Sequence, residues 1–353
     1  MGKSTVLRHR IGMTMLRRAE KVGRKFLNPV PTAVGGPGMI FKVLPLYFKD
    51  RQEREPQQPL GPFRTDVSVY ATPPASGLRV TWFGHSAMLV EIDGVRVLVD
   101  PVWDERASPW TWFGPKRFFA PTLPLEELPR LDAVLVSHDH FDHLGEATVR
   151  RLALLRPELK WVTSLGVGAI LERFGVQRGQ IVEMDWTETV SVTGDARAVC
   201  EITSLPARHF SGRSLWNRFE TLWGSFVLRG ADHTVYYGAD SGWWDGFEEI
   251  GAAYGPFDLT MLEIGAFNEM WHTIHLGPDN AARAFRAMGA SGLLMPVHWG
   301  LFDLALHAWR QPIERLVEVA EGLTLWVPEP GRPTEVVRGV GVRSEWWKGS
   351  CEL

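Results

Sequence analysis

At 353 residues, with 45% apolar and 22% charged residues, the chain can bury a large core, as one big domain with extensions or as two domains, and wholesale disorder is excluded. The formal net charge of −3 hides a division: residues 1–51 hold eleven Lys/Arg against two acids, a net of +9, which leaves −12 for the remainder. Two cysteines, Cys200 and Cys351, exclude a disulfide framework, and the absence of any unbroken apolar run of roughly eighteen residues excludes a bilayer-spanning helix.

From Val6 to about Phe26, the apolar Leu7, Ile11, Met15, Val22 and Phe26 recur at helical spacing among basic residues. A basic amphipathic helix is expected, either packed on the body or lying on an anionic membrane surface, since both need the same pattern. Charges at Lys3, Arg8, Arg10, Arg17 and Arg18 interrupt any secretory apolar run, and Val6 stands where a myristoylation motif needs Ser or Thr. A cytoplasmic location, with association at the inner membrane surface through residues 1–51, is the expectation. Residues 28–74 are rich in Pro and Gly and should form an extended arm around the body. The division expected is 1–77 for helix and arm, 78–328 for a compact domain, and 329–353 for a loose tail.

The compact part opens with three predicted strands, 78–83, 87–92 and 95–99, joined by tight turns. Residues 103–124 hold Trp103, Trp110, Trp112, Phe113, Phe118 and Phe119, rings that can line an apolar channel or bury one another. A strand over 131–136 leads into a polar turn, and helical spacing resumes at Gly145. Further strands are predicted at 159–163, 180–184, 188–193, 197–205, 222–228, 234–237, 259–264, 293–297 and 323–327. Helices fall at 166–174, 244–253, from Gly277-Pro278, and at 311–321. The loop 211–221 mixes Arg213, Trp216, Arg218 and Phe219, suited to an anionic headgroup and its chain, and His233 sits at a hairpin turn where exposure is the simplest expectation.

The polar turn is Ser137-His138-Asp139-His140-Phe141-Asp142-His143-Leu144. Imidazole and carboxylate suit zinc and its first-row neighbours, and two ligands one residue apart point the same way off an extended backbone. His138 and His140 can therefore grip one ion, while Asp142 and His143, where the chain begins to coil, point to a second.

This stretch resembles the signature of the metallo-β-lactamase fold superfamily, whose α/β architecture is a four-layer αβ/βα sandwich. The resemblance implies further ligands after later strands, and His209, Asp240 and His298 fill those places. It implies one ion on His138, His140 and His209, another on Asp142, His143 and His298, and Asp240 bridging; two Zn2+ or other first-row divalent ions are expected. His85, after Gly84, is expected to hydrogen-bond near the site rather than ligate, and Asp100 to support the metal loop from below.

Within the superfamily, Trp82-Phe83-Gly84-His85, Gly114-Pro115-Lys116-Arg117-Phe118, Leu222-Trp223-Gly224-Ser225, Gly255-Pro256-Phe257-Asp258-Leu259 and His298-Trp299-Gly300 resemble the N-acylphosphatidylethanolamine-hydrolysing phospholipase D family. A weaker echo is Phe26-Leu27-Asn28-Pro29. Departures are Ile274, Leu301 and Glu263, the last where proline is commoner. The family implies a phospholipid substrate, attack by a water shared between the ions, and release of N-acylethanolamine from phosphatidic acid. His275, matched by position, is implied to protonate the leaving oxygen, with Asp142 and Asp240 in the catalytic centre. A lactonase or carboxyl-ester hydrolase of the same fold, or a noncatalytic metal-binding scaffold, is the alternative. No nucleic acid is expected as partner, because the chain outside the arm is net acidic. The basic N-terminus is expected to be dispensable for turnover of a soluble substrate.

Overall fold

The computed structural model describes residues 14–35, 38, 45–46, 53–214 and 216–349. Two sheets face each other. The first has seven strands, β3 (Leu78–Gly84), β4 (Ala87–Ile92), β5 (Val95–Val99), β6 (Ala133–Val136), β7 (Lys160–Ser164), β8 (Ile181–Met184) and, at its edge beside β3, β16 (Thr334–Glu335). The second runs in the order β14 (Leu293–Val297), β13 (Leu259–Glu263), β12 (Thr234–Tyr237), β11 (Ser225–Arg229), β10 (Val199–Leu205), β9 (Thr189–Thr193). Helices α1 (Glu146–Leu155) and α2 (Gly168–Arg173) follow strands of the first sheet, and α3 (Gly246–Tyr254), α4 (Gly277–Ala287) and α5 (Gln311–Val319) follow strands of the second. This is the expected four-layer sandwich.

Period-two alternation in the strands makes the layers. Along β3 to β6, Val80, Trp82, Met88, Val90, Val97, Val99 and Leu135 enter the core between the sheets, while Leu89, Leu98, Val134 and Val136 face a second core with Val149 and Leu152 of α1 and Ile170 and Leu171 of α2. Both faces of this sheet are covered, so its strands read as continuous apolar runs. On the other side, Ala281 and Phe285 of α4 and Ile313 and Leu316 of α5 present buried stripes at helical spacing.

Parallel pairing carries β5 through β8 and β12 through β14, so the carboxyl ends of β5, β6, β12, β13 and β14 gather at one edge. At the opposite edge the Asp93 carboxylate joins the halves, accepting from the backbone N–H of Asp232 and His233 at 2.8 and 3.0 Å and pairing with His233 Nδ1 at 2.7 Å. His233 is thus half-buried and paired rather than simply exposed.

Two expectations change. The helix over 6–26 falls partly outside the described residues, and residues 14–26 are instead extended chain with a hairpin, β1 (Lys21–Val22) and β2 (Lys25–Phe26), turning at Gly23 with φ 59°. Glycine supplies that left-handed turn, and Phe26 gains burial beside Trp186, Ala207, Leu222 and Trp223. The segment after Pro328 is also not loose: β17 (Val342–Arg343) pairs with β15 (Trp326–Val327), and Trp346 stacks on Trp299 at 5.0 Å. Two-residue strands carry no periodicity to read. Among the described residues no helix is long and apolar enough to cross a membrane.

Candidate metal centre

Every expected ligand lies just past a strand at the gathered edge. His138 and His140 leave β6 in extended backbone; the chain then coils, with Leu144 N donating to His140 O at 2.8 Å, which turns Asp142 and His143 inward. His209 follows β10, Asp240 follows β12 and His298 follows β14 at once. The donor atoms of His138, His140, His209 and Asp240 lie within 4.8 Å of one another, as do those of His85, Asp142, His143 and His298. Asp240 stands between the groups, its Oδ2 at 3.5 Å from His209 Nε2 and 3.2 Å from His298 Nε2, its Oδ1 at 3.2 Å from His143 Nε2.

Hydrogen bonds behind the rings fix which nitrogen points inward. His143 Nδ1 donates to Asp100 Oδ2 at 2.7 Å, His209 Nδ1 to Ile274 O at 2.8 Å, and His138 Nδ1 lies 2.9 Å from Ser137 Oγ. Each leaves Nε2 toward the centre, the arrangement that metal-ligating histidines share. Asp100 has the expected supporting place, accepting also from Ser137 N, Ser137 Oγ and Tyr237 OH at 2.7, 2.6 and 2.5 Å. His85 Nε2 hydrogen-bonds Asp142 Oδ2 at 2.9 Å. Left-handed φ values at non-glycine His85, Asp100, Ala239, Ala266 and His298 cluster round the same edge, strain of a kind that gathers at functional sites. Gly265 is required there, because a Cβ would sit 1.9 Å from His298 O.

The donors fit divalent cations. His143 Nε2, His298 Nε2 and Asp240 Oδ1 are buried without a hydrogen-bond partner, and His138 Nε2 faces His140 Nδ1 at 2.8 Å. Burial holds His138 and His209 well below the ordinary imidazole range, in the neutral form a ligand needs. Burial would lower His298 too, yet Asp240 and Asp142 pull it up to about 10, and the carboxylates likewise hold His143 well above its usual value. The buried Asp240 and the half-buried Asp142 thus place negative charge at the centre, which a pair of ions would balance.

A cleft of about 280 Å³ opens over the donors, lined by His140, Asp142, Asp240, His275 and His298, by Phe210, Ala266, Trp271, Ile274 and Leu304, and by Arg218 with Val34 and Gly35 of the arm. His275 therefore lies at the site, and Glu263, which sequence reasoning noted only as a departure, holds it: Glu263 Oε2 accepts from His275 Nδ1 at 2.6 Å. A glutamate closing the largely apolar strand Leu259-Thr260-Met261-Leu262 was the available signal. Arg213 braces the metal loop, its Nη1 donating to Asp139 O and Leu144 O and its guanidinium lying 3.9 Å over Phe141. The aromatic segment divides. Trp103 and Phe119 are packed in, while Trp110, Trp112 and Phe113 contact one another at 51%, 75% and 61% exposure, and Trp216 of the other loop is 89% exposed.

Fold and donor set together define a metallo-β-lactamase-fold hydrolase with a binuclear metal-binding site. Residues 95–299 match the family model described as Beta-lactamase superfamily domain, and the chain belongs to that family. An uncharacterized protein of Mycobacterium tuberculosis is 46% identical over 278 residues, 78% of this chain and 73% of its own. The N-acyl-phosphatidylethanolamine-hydrolyzing phospholipase D 1 of Caenorhabditis elegans is 34% identical over 253 residues, 70% of either chain. Among solved structures, Igni18, a metallo hydrolase of the archaeon Ignicoccus hospitalis, matches with TM-score 0.54 at 23% identity, covering 73% of this chain and 97% of that one; it shares the fold.

Proposed function

We propose that the protein is a metal-dependent phosphodiesterase of phospholipase D type, hydrolysing N-acylphosphatidylethanolamine-like lipids to N-acylethanolamine and phosphatidic acid, with zinc as the resident metal. The observation that carries this reading is the 34% identity to the nematode phospholipase over 70% of each chain, joined to a full donor set under a cleft that is apolar on most of its walls. Bound at the two donor groups, divalent ions supply Lewis-acid polarisation of the phosphoryl group and an acidified water. His138, His140 and His209 would hold one, Asp142, His143 and His298 the other, with Asp240 common to both.

The chain's own residues do the rest. Phe210, Trp271, Ile274 and Leu304 exclude water and receive acyl chain, and Arg218, one of whose donors goes to Gly35 O, adds positive charge for the diester. Glu263 accepts from His275 Nδ1, so in the doubly protonated ring the second proton sits on Nε2, the nitrogen available to the cleft. A proton delivered from Nε2 to the departing N-acylethanolamine oxygen lets that alcohol leave, while the water's oxygen stays on phosphorus. As partner we propose a phospholipid bilayer of anionic character, met by Trp110, Trp112, Phe113 and Trp216, ring types that settle at the headgroup level. Of the basic N-terminal residues, Arg18 and Arg24 pair with Glu188 and Glu220 of the body, which leaves less of that charge for a membrane than the sequence count implies.

Hydrolysis in ¹⁸O-water tests the bond that is cut. Label should enter phosphatidic acid and stay out of N-acylethanolamine; label in a fatty acid or hydroxy acid would move the carboxyl-ester or lactone reading to first place.

A further inference from the structure

His209 lies in the connection that follows β10, where no strand ladder takes its peptide groups. Both are taken by one side chain from the distant arm. Asn28 Nδ2 donates to His209 O at 2.7 Å, and His209 N donates to Asn28 Oδ1 at 2.9 Å. An amide so placed reproduces the paired acceptor and donor of a neighbouring strand. His209 is wholly buried, so without Asn28 both groups would be unpaired away from water. The ring is then fixed by its Nδ1 bond to Ile274 O, and Nε2 is left 3.3 Å from His140 Nδ1.

The arm is itself held on either side of Asn28. Phe26 N donates to Phe219 O at 2.8 Å while its ring is buried beside Trp223. Beyond, Arg208 donates to Pro31 O and Thr32 Oγ1, Thr273 Oγ1 to Ala33 O, and Arg218 to Gly35 O. Pro29 and Pro31 narrow the backbone choices between these anchors. Two of the residues that grip the arm, Arg208 and Thr273, thus lie within two positions of His209 and His275 in the chain.

We propose that Asn28 is a positioning residue of the metal centre: it sets the His209 backbone so that Nε2 completes the group formed with His138 and His140, which makes the N-terminal arm part of the site. This replaces the expectation that the N-terminus is dispensable for soluble substrates, and it concerns metal holding, whatever bond the enzyme cuts. The full chain, loaded with zinc, is the sample, and release of zinc to a chromophoric chelator is the readout, for the parent, Asn28→Ala and Asn28→Asp. Asn28→Ala should lose one of two ions roughly 10–100-fold faster, as removal of a ligand's outer support does elsewhere, and the other at the parent rate. Asn28→Asp keeps the acceptor for His209 N and loses the donor, so it should fall between. The metal-free proteins should keep the parent's circular dichroism and a cooperative melting transition, lowered by the peptide groups left unpaired. Parent-like release of both ions, equal acceleration of both, or loss of the metal-free melting transition in both variants would overturn the proposal; should Asn28→Ala alone fail to fold, Asn28→Asp carries the same test.

Discussion

Replacing Glu263 by glutamine probes the step that the metals do not supply. The carboxylate is wholly buried, and it accepts from Ser241 N and Leu276 N at 2.8 and 3.0 Å through Oε1 and from His275 Nδ1 at 2.6 Å through Oε2. An amide whose oxygen stays on Ser241 N and Leu276 N sets its NH2 against His275 Nδ1, so Nδ1–H loses its acceptor and the doubly protonated ring its support, while the opposite turn sets NH2 against two backbone donors. A buried group left unpaired costs about 1–3 kcal/mol. If about 1.4–2.7 kcal/mol of that is felt where the leaving oxygen takes its proton, kcat on an alkyl phosphodiester should fall roughly 10–100-fold. An aryl diester, whose leaving group needs no proton, should lose less than about threefold by the same reasoning. The assay is initial rates on both substrate types, with metal content measured alongside and expected unchanged. Equal losses on the two substrates would refute the role given to the Glu263–His275 pair, and loss of metal would reassign Glu263 to support of Asp240 through Ser241.

Burial alone would raise Asp93, but the Asp232 and His233 N–H groups and the His233 ring hold it below the ordinary carboxylate value. A depressed acid contributes stability above its unfolded pKa of about 3.9 and loses it as pH falls through the lower folded value; Asp93→Asn should therefore be less stable than the parent at pH 7 in urea unfolding, with the gap closing toward pH 3, and a gap independent of pH would contradict the latch. Phe285, buried between α4 and the second sheet, should cost about 3–5 kcal/mol as Phe285→Ala in the same assay. Trp112→Ala and Trp216→Ala should each weaken co-sedimentation with anionic liposomes by roughly tenfold, about 1.4 kcal/mol, without changing turnover of a soluble aryl diester; unchanged sedimentation would remove these rings from the membrane contact.

Most strands and helices of the body were legible in the apolar patterning of the chain. Strands 78–99, 131–136, 234–237 and 293–297 could be placed because they are apolar runs bounded by turn residues. The metal loop showed itself by crowding alone, and His209, Asp240 and His298 followed through the resemblance. What stayed hidden depends on partners far apart in sequence. Asn28 looks like an ordinary turn residue until His209 is seen beside it, and Glu263 declares its role only against His275. The helical spacing of Met15, Val22 and Phe26 was overridden by tertiary contacts: Met15 N meets Glu249, Ala19 N meets Asp185, and Phe26 is buried beside Trp223. Arg213 illustrates the converse, since a loop arginine that suits a headgroup by composition turns one nitrogen to two carbonyls of the metal loop.

Anomalous diffraction from crystals of the zinc-loaded protein, recorded on either side of the zinc edge, tests the centre most directly. Two peaks per chain are expected, one coordinated by His138, His140 and His209, the other by Asp142, His143 and His298, with Asp240 touching both. A single peak, or a second ion seated away from Asp240, would contradict the binuclear site.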